Sequence, residues 1–174
     1  CVIFADTSLE AVSVYASHKG DLTVVVTTEA ILSSDMAEAL AIHHGHLRLL
    51  FNWGAIAERP VISVDVARAL GRHLGGLVLG RPPRLCSESA RELARSQGAL
   101  DLSRPHLLDA DVAGMLAHHR GDLCLRGLQG LSKGMAVALA NHSGTLWLTF
   151  EKTARLTRDT ITILKSKKGG LSIQ

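Results

Sequence analysis

Histidine is the residue type in this chain whose number and spacing could support chemistry. The chain contains nine histidines, and five of them stand two positions before a glycine: His18, His43, His73, His119 and His142. A regular column of imidazoles could bind metal ions or relay protons near neutral pH. The spacing favours a structural role instead, because a histidine in the last helical turn faces unpaired carbonyl groups and the negative end of the helix dipole. Successive packed helices lie about 8–10 Å apart, which is too far for two imidazoles to share one ion.

The remaining candidate motifs for catalysis or cofactor binding are incomplete. His43-His44-Gly45-His46 has enough ligands for an adventitious divalent ion, but no carboxylate or cysteine stands at ligand spacing. The glycine-rich stretch 75–80 lies between a predicted helix and a predicted strand, the reverse of the order that a phosphate-binding loop needs. The three cysteines have no paired spacing. We therefore expect a protein without catalytic residues, bound metal or cofactor.

These histidines belong to a unit that repeats along the whole chain. Thirteen positions before each recurrent glycine stands an apolar residue in six of the seven copies, in most of them leucine, and Thr7 takes this place in the first. The next residue is a helix N-cap candidate in six copies: Ser8, Ser33, Ser63, Asp109, Ser132 and Thr157; Cys86 stands there in the fourth copy. Alanine and leucine follow at the spacing of an amphipathic helix, which predicts about three helical turns ended by a glycine in the left-handed conformation.

After each glycine the apolar period changes from that of a helix to that of a strand. Leu-x-Leu pairs, such as Leu100 and Leu102, stand two and four residues beyond the glycine, which predicts a short strand with one buried face. Strands that alternate with helices must run parallel, joined by right-handed crossovers. Because parallel strands lie about 4.8 Å apart and packed helices 8–10 Å, the stack must curve with the strands on its concave face.

The strand and helix patterns together resemble the leucine-rich-repeat superfamily, in a bacterial variant with a 23-residue repeat. The copies from Leu108 to Leu125 and from Leu131 to Leu148 carry the resemblance most clearly. It implies an α/β solenoid, a horseshoe segment with helices on the convex face. The usual Asn or Cys after the second strand leucine is absent, because Pro82, Pro105 and Leu128 stand there. The turn after each strand must therefore be built in another way.

The repeat predicts one solenoid over residues 1–174, which we expect to be part of a longer protein, because a strand without a neighbour would close the array. We place the repeats at 7–31, 32–61, 62–84, 85–107, 108–130, 131–155 and 156–174.

One column of the strands departs from the regularity of the others and is the candidate binding surface. Three residues past each glycine the side chain points away from the core, and the column varies in charge, size and polarity. Arg48, Asp101, Cys124 and Trp147 belong to it, and Arg126 flanks it. Packing does not dictate such variation, so we expect a concave surface that binds a protein or peptide, with Trp147 as an anchor. The alternative is a face covered by a neighbouring domain.

The second repeat contains a longer connection, which carries two aromatic residues. Twelve residues, 50–61, separate Leu49 from Ile62, and among them are Phe51 and Trp53. Inserts in solenoids often form functional loops, which would add Phe51 and Trp53 to the binding surface. The alternative is that both rings fold over the core.

Overall charge and hydropathy narrow the range of partners. The net charge is +3 with acids and bases interspersed, which argues against a dedicated nucleic-acid-binding face. Weak nucleic-acid binding through Arg81, Arg84 and Lys165–Lys168 is one alternative function, and a structural spacer within a larger protein is another. No apolar run reaches the length of about 18 residues that a membrane helix needs.

Overall fold

A computed structural model describes residues 2–4, 8–27, 32–54, 59–105 and 108–174. Strands and helices alternate strictly through these ranges. The strands are β1 Val2–Phe4, β2 Leu22–Thr27, β3 Leu47–Asn52, β4 Leu77–Gly80, β5 Leu100–Ser103, β6 Leu123–Gly130, β7 Leu146–Arg155 and β8 Leu171–Ile173. The helices are α1 Leu9–Ala16, α2 Ser34–Ala41, α3 Val64–Leu70, α4 Ser87–Leu93, α5 Ala110–Leu116, α6 Lys133–Ala140 and α7 Arg158–Lys165.

All described strands form one parallel sheet whose spatial order follows the chain order from β1 to β8. The recurrent leucines pair in register, for example Leu77 with Leu100 and Leu79 with Leu102. Each helix packs against the helix of the next repeat. The chain is therefore an α/β solenoid, as the repeat predicted, in which successive strands pair and successive helices pack on each other.

Each helix begins at the position that the repeat predicted, and Cys86, whose residue type did not predict a cap, also serves as one. The side chain at all seven cap positions accepts a hydrogen bond from the backbone N–H three residues later. In the fourth repeat the acceptor is the Cys86 thiol sulfur, 3.4 Å from the nitrogen of Ser89, and the Ser89 hydroxyl in turn accepts from the Cys86 N–H. A cap of this kind contributes about 1 kcal/mol.

The helices are shorter than predicted, with seven or eight residues rather than three turns. Each helix ends about four residues before the glycine, where the chain tightens into a turn with i→i−3 hydrogen bonds. One such bond joins His43 N to Leu40 O at 3.1 Å, and another joins His119 N to Leu116 O at 3.0 Å. The histidine therefore belongs to the tight turn that follows the helix and not to the helix itself.

The core lies between the sheet and the helices. Both leucines of the strand motif are fully buried in β3 to β7, as are the alanine and leucine columns of α2 to α6. A helix of seven residues has no independent stability in water, so this apolar burial must hold it in place. Within the described part of the chain, no helix has the length and apolar character needed to cross a membrane.

The glycine that follows each helix is required by a close approach rather than by a left-handed conformation. Gly20 and Gly169 have positive φ angles, whereas the five recurrent glycines between them do not. A Cβ added to Gly121 would lie 2.6 Å from the carbonyl oxygen of Gly98. The same contact recurs between Gly45 and Gly20 and between Gly144 and Gly121. The prediction of a left-handed helix end was therefore wrong for most repeats, because the turns stack backbone on backbone.

Candidate functional site

The sheet presents one face that the helices do not cover, and we call it the open face. It contains the side chains three residues past each recurrent glycine, and the strand register sets them side by side. In order across the sheet they are Thr23, Arg48, Val78, Asp101, Cys124, Trp147 and Ser172. The variable column of the sequence is therefore one continuous row.

An ion pair occupies the centre of the open face. The Arg126 guanidinium donates to the Asp101 carboxylate at 2.9 Å, and the Ser103 hydroxyl donates to the other carboxylate oxygen at 3.1 Å. Asp101 is only 9% exposed, whereas the Arg126 side chain is 57% exposed. Ser103 and Arg126 therefore hold the Asp101 carboxylate in place. Much of the Arg126 guanidinium faces solvent, where it can contact a binding partner.

Cys124 lies between this ion pair and the aromatic ring of Trp147. Its thiol is half-buried and unoxidised, and it is paired in register with Asp101 on one side and Trp147 on the other. Burial raises the pKa of the Cys124 thiol, and the Asp101 charge raises it further, against the opposing effect of Arg126. A raised pKa disfavours the thiolate, which is the reactive form of cysteine.

Trp147 is the large aromatic side chain of the open face. It is 42% exposed and lines a cavity of about 230 Å³ together with Arg126, Leu148, Thr149, Ser172 and Gln174. The cavity walls combine an indole ring, a guanidinium, hydroxyls and an amide. Tryptophan and arginine are two of the residue types enriched among the side chains that dominate binding energy at protein interfaces.

Arg48 lies on the open face but away from this group. It is exposed, and the register places Val78 between it and Asp101. Two strand spacings, about 10 Å, therefore separate the backbones of Arg48 and Asp101. The structure thus brings Asp101, Cys124, Arg126 and Trp147 together and leaves Arg48 on a separate part of the same face.

Phe51 and Trp53 do not belong to the open face. They are 4% and 6% exposed, and their rings stack with centroids 5.5 Å apart. The Trp53 indole N–H donates to the carbonyl oxygen of Arg81 at 2.7 Å. Strand β3 continues to Asn52, so its inward alternation extends the core through these two residues. The prediction that Phe51 and Trp53 contribute to the binding surface is therefore wrong. Residues 55–58 of the insert lie outside the described ranges.

The turns after the strands are built with arginine and glycine instead of an asparagine ladder. Arg81, Arg104 and Gly127 occupy the same position in successive repeats, with φ angles of 53°, 54° and 69°. Arg104 was not among the predicted functional residues. The recurrence of Arg-Pro at 59–60, 81–82 and 104–105 is the sequence feature that could have pointed to it.

The histidine column is structural, but the carbonyls that it contacts belong to the neighbouring repeat. His43 Nδ1 lies 3.0 Å from Ala16 O, and its Nε2 lies 2.7 Å from Gly20 O. His73 makes the equivalent contacts, while His119 and His142 each contact one carbonyl through Nδ1. These four are buried, whereas His18 is exposed. Ser96 and Lys167 complete the column.

The geometry of the column does not form a metal site. The rings of His43 and His73 stack 6.3 Å apart, and those of His119 and His142 stack 6.4 Å apart. The rings lie closer together than the 8–10 Å that separates packed helices. Among the described residues, no group of three or more His, Cys, Asp and Glu is arranged to hold a metal ion.

Comparison with known proteins adds no relative to this picture: no family model matches the sequence, and a search of curated proteins finds no match.

Proposed function

We propose that this chain is a non-catalytic repeat module that binds a polypeptide on the open face of its sheet. The observation that carries the proposal is the position of Trp147, exposed on the open face beside a cavity that Arg126 also lines. Leaving an indole 42% exposed to water is unfavourable, and covering it with a partner removes that cost.

The arrangement of the neighbouring groups supports binding rather than catalysis. The Asp101 carboxylate is engaged by Arg126 and Ser103, and the raised pKa of Cys124 keeps its thiol neutral. None of these groups is paired with a base or acid that could transfer a proton. They offer a fixed ion pair, a neutral thiol and an aromatic ring, which are recognition groups.

The repeat pattern also supports a proposed place for the chain in the leucine-rich-repeat superfamily. Parallel strands that carry Leu-x-Leu, each followed by a helix on the other layer, are the features in common. In such a solenoid the strand surface is extended and curved toward the partner, which matches the surface that carries Trp147.

Selection of peptides from a randomised twelve-residue library tests the proposal. Peptides that bind the wild-type chain should bind Trp147→Ala at least about tenfold more weakly. Tyr15→Ala is the matched control, because Tyr15 is a comparably exposed aromatic residue on α1. Selected peptides should retain their affinity for this control.

A second measurement reads the same site without a substitution in it. Trp53 and Trp147 are the two tryptophans of the chain, so a Trp53→Phe variant leaves Trp147 as the single fluorescent reporter. A bound peptide should shift the emission to shorter wavelength, because it removes water from the indole. If selected peptides bind Trp147→Ala and Arg48→Glu as tightly as wild type, the open face is not the binding surface.

A further inference from the structure

Three arginines, each followed by proline, collect at the carboxyl edge of the central strands. Arg81 follows β4 and Arg104 follows β5, and these strands pair in register up to Gly80 and Ser103. The backbones of Arg81 and Arg104 are therefore about 4.8 Å apart. Both side chains are exposed. Arg59 comes from the insert of the second repeat and reaches the same edge.

The backbone shows that arginine is costly at two of these positions. Arg81 and Arg104 have φ angles of 53° and 54°, in the left-handed region that favours glycine. The next repeat has Gly127 at the equivalent place, with a φ of 69°. The chain thus carries two bulky residues in a backbone conformation that is unfavourable for them and that glycine adopts freely. A role for the guanidinium groups explains this choice.

Arg59 is held in position by the backbone of both turns. One terminal nitrogen of its guanidinium donates to the carbonyl oxygens of Pro82 at 3.1 Å and Arg104 at 3.0 Å. The Arg81 carbonyl accepts from Trp53, so the turn itself is fixed from the core side. The other guanidinium nitrogens of Arg59 have no hydrogen-bond partner among the described residues.

The charge of these arginines is not neutralised within the described part of the chain. The five ion pairs found there use Arg68, Arg72, Arg95 and Arg126, and none uses Arg59, Arg81 or Arg104. Burial lowers the pKa of Arg59, and the like charge of Arg81 lowers it further, because the two positive charges repel each other.

We propose that Arg59, Arg81 and Arg104 form a binding site for an acidic segment of a polypeptide. The inference rests on the proposed function in that the segment belongs to the partner bound on the open face, which adjoins this edge at Ser103 and Arg126. A nucleic acid would need a continuous basic face, whereas the neighbouring open face carries the Asp101 carboxylate. A short run of carboxylates matches a basic cluster about two strand spacings wide.

Fluorescence anisotropy with a fluorescein-labelled octaglutamate peptide tests the site on the whole chain. The informative variant is Arg81→Gly/Arg104→Gly, because glycine suits both backbone conformations. We expect this variant to bind octaglutamate about tenfold more weakly while its melting temperature is equal to that of wild type or higher. Arg91→Gln/Arg120→Gln, which removes two exposed charges elsewhere, should bind as wild type does.

Three outcomes would overturn the inference: octaglutamate affinity that is unchanged in the glycine variant, an equal loss in the control variant, or tighter arginine-dependent binding of an eight-nucleotide oligothymidylate. A fall in melting temperature in the glycine variant would assign the two arginines to the fold instead.

The two proposals fail separately. Octaglutamate binding that depends on the arginines, in a chain for which the library yields no Trp147-dependent peptide, would support the arginine site and refute the open-face function.

Discussion

The Nζ atom of Lys167 lies 2.6 Å from the carbonyl oxygen of Gly144. His43 makes the corresponding bond in the second repeat, where its Nε2 lies 2.7 Å from Gly20 O. Lysine and histidine therefore meet the same need in these two repeats: the turn beneath the helix leaves a glycine carbonyl within reach of a buried side-chain donor.

The lysine at the end of the column tests this requirement directly. Lys167→Met should lower the free energy of unfolding by about 1–2 kcal/mol, because it leaves the buried carbonyl without a donor. Lys167→His should recover part of the loss. Lys165→Met is the control, since Lys165 is exposed, and it should stay within about 0.5 kcal/mol of wild type in urea denaturation. Equal effects of the two methionine variants would contradict the proposed donor role.

Stability should depend on pH through His73 and His142. Burial lowers the pKa of both imidazoles against the opposing effect of their carbonyl partners, so the unfolded chain takes up protons at higher pH than the folded chain. The contribution is fully present above about pH 6.5 and is lost as pH falls below that value. Denaturation midpoints at pH 7.5 and 5.5 measure it.

Two variants separate the buried histidines from the other titrating groups. His73→Gln/His142→Gln should be less stable at pH 7.5 but should lose less stability between pH 7.5 and 5.5 than wild type does. His44→Gln removes an exposed histidine and should leave the wild-type pH dependence intact. An undiminished dependence in the double variant would show that the column does not cause it.

Two glycines of the same repeat, Gly114 and Gly121, should respond to replacement by alanine with opposite changes in stability. Gly121→Ala places a methyl group 2.6 Å from the Gly98 carbonyl oxygen, so we expect a loss of about 1–3 kcal/mol from the displaced backbone. Gly114 lies inside α5, and a Cβ there would meet only the Ala138 methyl at 3.9 Å. Gly114→Ala should raise stability by about 0.5–1 kcal/mol. Chemical denaturation of both variants measures the contrast.

The two tryptophans should contribute differently to stability. Trp53 is buried and donates to the Arg81 carbonyl, so Trp53→Ala should cost about 3–5 kcal/mol. Trp147 is 42% exposed on the open face, and we expect Trp147→Ala to cost less than about 1 kcal/mol. A large loss for Trp147→Ala would mean that this ring supports the fold, and its effect on peptide binding would then have to be measured in a stabilised background.

The amino-acid sequence by itself determined the seven helices and the strands β2 to β8, with their parallel order, but did not predict β1. Six caps, the alanine and leucine columns and the Leu-x-Leu pairs repeat in one register, and each follows from local geometry or from period. Asp109 caps its helix by accepting a hydrogen bond from the N–H of Val112, three residues later. Because the bond is local, the role of Asp109 can be predicted without knowledge of the other repeats. The same alternation placed Asp101, Cys124 and Trp147 on one face.

Only the tertiary structure decided what depends on contact between repeats. Periodicity cannot show that His43 contacts the carbonyls of Ala16 and Gly20, or that Phe51 and Trp53 close over the core. It also cannot show that Arg59 reaches the turn of Arg104, which is 45 residues away in the chain. A repeated pattern records which face a side chain takes, whereas its partners depend on how closely successive units stack. That spacing is set jointly by the sheet and by the helices.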